Sequence, residues 1–349
     1  MIIDYTHIGR QVTGIERISL ELFSPRTFGK GKAQYVRANS ILRMIAGQWI
    51  TLPLAVIRNR RSLCICPGFP PSIFLSIVGR TRVIPYVHDM FLLSRPADLN
   101  IRAKLYMRPS FAFAVHHLRR FLVNSISTRD ALRKKCRSDA EIHLLRPEVR
   151  NVFELTSSGK TKATVGRQTL RLLSIGTVEP RKNYAAANLI RKALAAHLAC
   201  AVELHIVGRK GWGREAESLQ GDNDVQLHGY CSIEQIQALI DSTDIFLATS
   251  KEEGLGLPLL EVQHGGIFVA AADIPVFREV LGKSGCLFNP DSADAAAYRI
   301  ASELSLPNWR ERHCVAALQN VERWNLQAKN DMQQFLYWIE KKEFRSLNI

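Results

Sequence analysis

A chain of 349 residues is too long for one ordinary core and accommodates two domains of about 150 to 200 residues each. Its 46% apolar and 23% charged residues, with ordinary Gly and Pro usage, describe a folded globular chain and exclude a disordered or collagen-like one. The formal net charge of +15 is unevenly placed: residues 1–170 hold 28 Lys/Arg against 10 Asp/Glu, whereas residues 171–349 hold 19 against 22.

Met1-Ile-Ile-Asp-Tyr5 reads directly as a strand, so no signal peptide is expected. The following loop, Gln11-Val-Thr-Gly-Ile-Glu-Arg17, carries Gly14 and opens a helix; its amides are suited to a phosphate or an acceptor. Further strands are predicted at 33–37, 62–66, 82–88, 121–124 and 141–145. The fourth of the six ends in His88-Asp89, where the His is placed to hydrogen-bond a substrate or donate to a leaving group; the bland reading is a satisfied structural residue. The longest uncharged stretches, 44–57 and 65–79, fall short of a membrane span and contain prolines. Segments 42–61 and 101–122 mix apolar runs with Arg and Lys, which suits peripheral membrane contact or, equally, core helices with basic outer faces. A basic half attracts phosphate, in a lipid headgroup or a phosphorylated substrate, although it also serves simply as a solvated surface. Nucleic acid is not expected: aromatics do not interleave with the basic residues, and no zinc-finger or RNA-binding signature occurs. The seven cysteines are scattered, complete no metal site, and are expected to be free thiols in a reducing cytoplasm.

The polar, small-residue run 155–166 has linker composition, and the charge balance changes sign beside it. The expected division is 1–160, an N-terminal Rossmann-like domain for the acceptor; 161–325, a C-terminal one for a donor; and 326–349, a helix packing back on the first domain. Beyond the linker, strands are predicted at 171–175, 201–207, 225–227, 244–249, 267–271 and 285–288, with helices at 184–198, 233–240, 258–264 and 293–304. Strands alternating with helices predict an α/β chain of doubly wound parallel sheets.

Two strand-to-helix junctions carry the chemistry. In Ser174-Ile-Gly-Thr-Val-Glu-Pro-Arg-Lys-Asn183, Arg181 supplies a guanidinium fork and Lys182 a point charge, together suited to a diphosphate. In Ser250-Lys-Glu-Glu-Gly-Leu-Gly-Leu-Pro-Leu-Leu-Glu261, Gly254 and Gly256 allow a ligand close to the main chain, and Pro258 suits the first turn of a helix. Glu253 falls on the loop and Glu261 about one turn into the helix, so the two carboxylates meet different parts of one ligand and make a poor acid–base pair.

Together these segments resemble the retaining GT-B glycosyltransferases of family 4, particularly bacterial mannosyltransferase-like enzymes of polysaccharide and lipopolysaccharide assembly. The Glu-x7-Glu run is the specific element. Gly176–Asn183, Ile206-Val-Gly-Arg-Lys-Gly-Trp212, Leu227-His-Gly-Tyr-Cys-Ser232, Phe288-Asn-Pro290 and Trp324-Asn-Leu reinforce it, with Thr13-Gly-Ile15, His88-Asp89 and 123–127 in the first half. The resemblance implies GT-B architecture, two Rossmann-like domains facing a central cleft. It implies that Arg181 and Lys182 neutralise the departing diphosphate, that Glu253 holds sugar hydroxyls, and that Gly254, Leu255, Gly256, Leu257 and Pro258 contact sugar and phosphate. Glu261 would take the ribose, Tyr230 and Gly208 would border the nucleotide, His88 would touch the sugar, and Gly14 and Asp89 would lie on the phosphate or acceptor side. The implied reaction is metal-independent: the leaving phosphate takes the acceptor's proton, configuration is retained, and the only co-substrate is a nucleoside-diphosphate sugar. No metal is expected to take part, and no Asp-x-Asp metal signature is expected in the chain. Mannose and GDP are the favoured donor parts, and a glycan, lipid-linked, the expected acceptor, with the enzyme working in the cytoplasm at the inner face of the cell membrane. The chain departs from the family pattern at 125–127 and at Arg146-Pro-Glu-Val-Arg150. A non-catalytic GT-B scaffold subunit and another GT-B enzyme, such as a sugar-phosphate synthase, stand beside this reading.

Overall fold

The computed structural model describes residues 1–9, 14–29, 31–101, 103–157, 169–213 and 215–347. Gln11–Thr13 of the first loop and 158–168 of the expected linker lie outside the described residues.

The chain separates into two compact units, residues 1–148 with 327–349, and residues 149–326. In the first, β1 (Ile2–Tyr5), β2 (Gln34–Arg37), β3 (Cys64–Cys66), β4 (Val83–Val87), β5 (Arg120–Val123) and β6 (Glu141–Leu144) form one sheet in the order β2-β1-β3-β4-β5-β6. In the second, β7 (Thr169–Ile175), β8 (Ala201–Val207), β9 (Val225–Gly229), β10 (Ile245–Ala248), β11 (Phe268–Ala272) and β12 (Gly285–Phe288) are ordered β12-β11-β10-β7-β8-β9. Every strand pairing is parallel. All twelve strands stand where the sequence predicts them, with ends shifted by one or two residues.

Parallel strands covered by helices on both faces are apolar throughout, which is why these runs show little alternation. In the second sheet Leu172, Ile245, Leu247 and Phe268 enter one core layer, while their neighbours Leu173, Phe246 and Val269 enter the other. The first sheet buries one polar side chain in its centre. Asp4, at the middle of β1, is fully buried, and its carboxylate accepts from the Thr6 amide at 2.9 Å and from the Gln48 amide group. Burial pushes its pKa up against those bonds.

The domain boundary differs from the sequence expectation. Residues 149–157, assigned to the first domain by sequence, belong to the second unit, where Val149, Phe153 and Leu155 are buried in its core. His264 reaches the Val149 carbonyl at 3.1 Å, and Asn325 holds both its amide and its carbonyl. Polar linker composition begins only at the last of these three apolar anchors, so composition places the change about a dozen residues too late. One long helix, Trp309–Leu347, supplies residues to each unit in turn. Trp324 is buried in the second unit's core. Phe335 lies edge-on to Phe23 in the first unit, and Asp331 pairs there with Arg146 at 2.8 Å.

Candidate active site

The second sheet reverses its winding between β7 and β10: from β7 the chain proceeds outward to β8 and β9, from β10 the other way to β11 and β12. Loops leaving two such neighbours part in opposite directions and open a crevice at the carboxyl ends of the strands. Both chemistry-bearing junctions leave the sheet here, Gly176–Asn183 after β7 and Thr249–Gly256 after β10.

Two glycines make the approach possible. A Cβ on Gly208, at the end of β8, would lie 1.9 Å from the Gly176 carbonyl oxygen, and one on Gly176 would lie 2.9 Å from the Lys182 side chain. The β7 loop then makes one tight turn over Pro180–Lys182, passes through left-handed Asn183 (φ 57°), and enters the helix Tyr184–Leu198. It is stitched to the β10 loop. The Thr249 hydroxyl stands 3.0 Å from the carbonyls of both Lys182 and Asn183, and the Lys251 amide donates to the Arg181 carbonyl at 2.8 Å.

These bonds bring Arg181 and Lys182 onto Glu253. Arg181 Nη1 lies 2.7 Å from Glu253 Oε2, Lys182 Nζ bonds Oε1, and the Ser250 hydroxyl donates to Oε1 at 2.9 Å. Burial alone would raise the Glu253 pKa; Lys182 and Arg181 outweigh it and hold the carboxyl at about 2. Arg181 turns its Nε to a second buried carboxylate, Glu179. There burial prevails over the two cations and keeps the pKa above the ordinary glutamate value. Two cations thus face two carboxylates in a place where an isolated charge would be costly. Tyr184 closes the floor, its hydroxyl donating to the Gly176 carbonyl at 3.0 Å, with its pKa pushed up by burial.

Gly256 takes φ 78°, and a Cβ there would come within 2.7 Å of the Phe277 ring. It caps the helix Leu257–Gln263, in which Pro258 is the second residue; Gly254 and Leu255 are buried behind it. Lys182, Tyr184, Ser250, Glu253, Gly256 and Pro258 line one pocket. Glu261 lies in that helix and is only 5% exposed. Tyr230 follows β9 and is 71% exposed, with the Arg209 guanidinium 4.7 Å from its ring centroid. The structure therefore joins Arg181, Lys182, Glu253, Gly256 and Pro258 in one constellation, with Gly208 and Tyr230 at neighbouring strand ends of the same sheet. Glu179, Thr249 and Ser250 were not singled out by sequence. Their only signal was position, polar residues directly flanking the two junctions at strand ends.

Gly14, His88 and Asp89 belong to the first unit. Gly14 begins the helix Gly14–Leu22, and a Cβ there would meet nothing within 4 Å. Asp89 accepts from the Phe91 amide at 3.0 Å, a local turn contact at the start of the helix Phe91–Ser94. His88 corrects an expectation. Its Nε2 lies 2.7 Å from the Pro67 carbonyl, which only accepts, so Nε2 carries the proton. Burial lowers its pKa despite that bond and nearby Asp89, so the ring is neutral. A neutral ring with Nε2 engaged offers Nδ1 as an acceptor and is no proton donor to a leaving group. An unpredicted histidine, His7, is buried two residues beyond β1 with its Nε2 3.1 Å from the Ser19 hydroxyl. The His7 ring packs under Gly68, where a Cβ would come within 2.3 Å.

One Asp-x-Asp spacing does occur, Asp222-Asn-Asp224, contrary to expectation. It serves structure. Arg191 spans it, with Nη2 3.0 Å from Asp222 and Nη1 2.8 Å from Asp224, and Lys192 reaches Asp222 at 3.0 Å. Among the described residues, no group of three or more His, Cys, Asp or Glu side chains is arranged to hold a metal ion.

Residues 169–305 match the family described as Glycosyl transferases group 1. The matched stretch lies within the second unit. Over 158 residues the chain is 29% identical to O-antigen chain mannosyltransferase B of Escherichia coli, covering 44% of this chain and 42% of that protein. Over 116 residues it is 31% identical to GDP-mannose:cellobiosyl-diphosphopolyprenol alpha-mannosyltransferase of Xanthomonas oryzae pv. oryzae, covering 32% and 30%. The matched stretches thus span less than half the length of these relatives. The crystal structure of Anabaena Alr3699/HepE in complex with UDP superposes with a TM-score of 0.70 at 17% identity, covering 97% of this chain and 99% of that one. The fold is GT-B.

Proposed function

We propose that this chain is a retaining, metal-independent glycosyltransferase that moves a sugar from a nucleoside diphosphate to a glycan acceptor. The half-buried Arg181–Lys182–Glu253 network at the switch point of the second sheet carries the reading. The oxygens of Glu253 face both cations. An arriving diphosphate takes those cations, and the carboxylate it displaces turns to hydroxyls of the transferred sugar. Arg181 and Lys182 then stabilise the charge that grows on the leaving diphosphate, while its oxygen receives the acceptor's proton and the new bond forms on the same face. Glu261 takes the ribose, and Tyr230 and Gly208 border the nucleotide. Support for mannose and GDP comes from the relatives, both mannosyltransferases and one of them named for GDP-mannose. The second relative's name also includes a diphosphopolyprenol, which supports a lipid-linked acceptor, and with it a place in bacterial surface polysaccharide synthesis at the inner face of the cell membrane.

The test is a thermal-shift series with GDP, UDP, dTDP and ADP, followed by turnover of the matching mannose or glucose donor. One diphosphate is expected to stabilise the fold by mass action, by about 2.7 kcal/mol at a hundredfold excess over its Kd, and so to raise the melting temperature. If no diphosphate shifts the melt and no nucleotide sugar is hydrolysed or transferred, the chain is a GT-B scaffold and not an enzyme.

A further inference from the structure

Residues 41–58 form one continuous helix, α over Ile41–Ala46, π over Gly47–Thr51 and α again over Leu52–Arg58, opened by the Ser40 hydroxyl capping the Arg43 amide. Its burial is inverted. The face against the first sheet holds Gly47, Gln48, Leu52, Pro53 and Val56. Gly47 is required there, because a Cβ would lie 2.8 Å from Thr6, and Gln48 donates to Thr6 and Asp4. The outer face holds Ile41, Leu42, Ile45, Ile50, Leu54 and Ile57, all exposed, Leu42 to 80%. Trp49 joins them. The helix Ile73–Val78, which packs against this one, adds exposed Phe74 and Ile77. So broad an apolar surface marks a contact with something.

Charge identifies the partner. From residue 22 to residue 88 the chain holds ten Lys/Arg and no Asp or Glu. Arg43, Arg58, Arg60 and Arg61 are exposed on or directly after the apolar helix. A second exposed apolar group, Ile101, Leu105 and Tyr106, is likewise accompanied by exposed Lys104 and Arg108. An apolar helix face fringed only by cations suits the boundary between acyl chains and anionic headgroups. By length and composition Ile41–Arg58 would also serve as a membrane span. Its inner face is packed on the sheet and hydrogen-bonded through Gln48, so it lies along a bilayer and does not cross it. A second copy of this chain would bring like charges together.

We propose that the outer face of residues 41–58, with Phe74 and Ile77, docks the first unit onto an anionic phospholipid bilayer, with the helix in the plane of the headgroups. This deepens the membrane contact of the proposed function and rests on that reading only for its biological purpose. The full chain is mixed with vesicles of equal parts phosphatidylglycerol and phosphatidylcholine, or of phosphatidylcholine alone, and sedimented. Binding to the anionic vesicles is expected, weakened by salt, with quenching of Trp49 fluorescence by bromine-labelled lipid that Trp49→Phe removes. Leu42→Ser with Ile50→Ser should lower partitioning at least about tenfold. Arg43→Gln with Arg58→Gln should lower it to a similar degree on anionic vesicles only. Both double variants change exposed residues and should melt as the parent does. Equal binding to both vesicle types, no binding to either, or partitioning unchanged by Leu42→Ser/Ile50→Ser overturns the proposal. So does a dimer in sedimentation velocity that the Leu42→Ser/Ile50→Ser variant dissolves. Diphosphate binding and donor hydrolysis are read on the same variants without vesicles, so a failed lipid surface and a failed transferase reading give different results.

Discussion

At the switch point of the second sheet, β7 and β10 end in a charged constellation: Arg181 and Lys182 against Glu253 and Glu179. At that of the first, where the order runs β2-β1-β3, the described residues beyond the strands are close-packed. The His7 ring fills the space under Gly68, and His88 spends its proton on Pro67. Both sheets obey the same topological rule, yet among the described residues it is the second crevice that gathers paired cations, Arg181 and Lys182. Sharing an architecture does not divide the chemistry equally; the side chains at the crevice do that.

The largest expected effect separates the two crevices directly. Lys182→Ala should lower transfer by about 10²- to 10³-fold while the fold persists, because it removes a cation facing the growing charge. His88→Gln, whose amide can still donate to the Pro67 carbonyl, should retain activity to within about tenfold. A fall of about 10²- to 10⁴-fold in that variant would restore a general-acid role to His88 and break the contrast.

Glycines give a second comparison, on stability. Gly208→Ala forces a methyl group into the Gly176 carbonyl and should cost about 1–3 kcal/mol or more, seen as a lower denaturation midpoint. Gly14→Ala meets open space at a helix start and should be neutral or stabilising by up to about 1 kcal/mol. Equal losses in both variants would mean that close approach at the second crevice is not what Gly208 provides.

The smallest effect is in the pH dependence of stability. Glu253 has a pKa depressed to about 2 in the fold, so it binds its proton more readily when unfolded. Its contribution is complete above the ordinary glutamate value near 4.5 and is lost as pH falls towards about 2. Melting curves across that window should fall less steeply for Glu253→Gln than for the parent. The variant should also be less stable at neutral pH, because it leaves Lys182 and Arg181 facing a neutral amide. An unchanged pH slope would mean that the pair holds Glu253 no more tightly than water does.

Much of this was legible in the chain before folding. Runs such as Val83–Val87 and Phe268–Ala272 are short and apolar, as buried strands are, and their alternation with helical segments points to parallel sheets. Arg181, Lys182 and Glu253 could be singled out because each stands at a strand-to-helix junction beside a residue with special backbone freedom. Less could be read where burial decides. Glu179 looks like any surface glutamate until Arg181 folds over it. Val149, Phe153 and Leu155 look like the end of the first domain until they enter the core of the second.

By itself the sequence determined which segments are strands, where the two strand-to-helix junctions fall, and that the first half carries the positive charge. These are local properties, set by periodicity, by glycine and proline, and by counting. Tertiary structure alone decided that Glu253 meets both cations, that His88 is neutral with its proton spent, and that residues 41–58 turn their larger apolar side outward. Each depends on a partner distant in the chain: residues about 70 positions apart for Glu253, Pro67 for His88, and Thr6 and Asp4 for the Gly47–Gln48 face. An apolar segment announces that it will be covered; only the packing of its smaller face shows which side is left for a membrane.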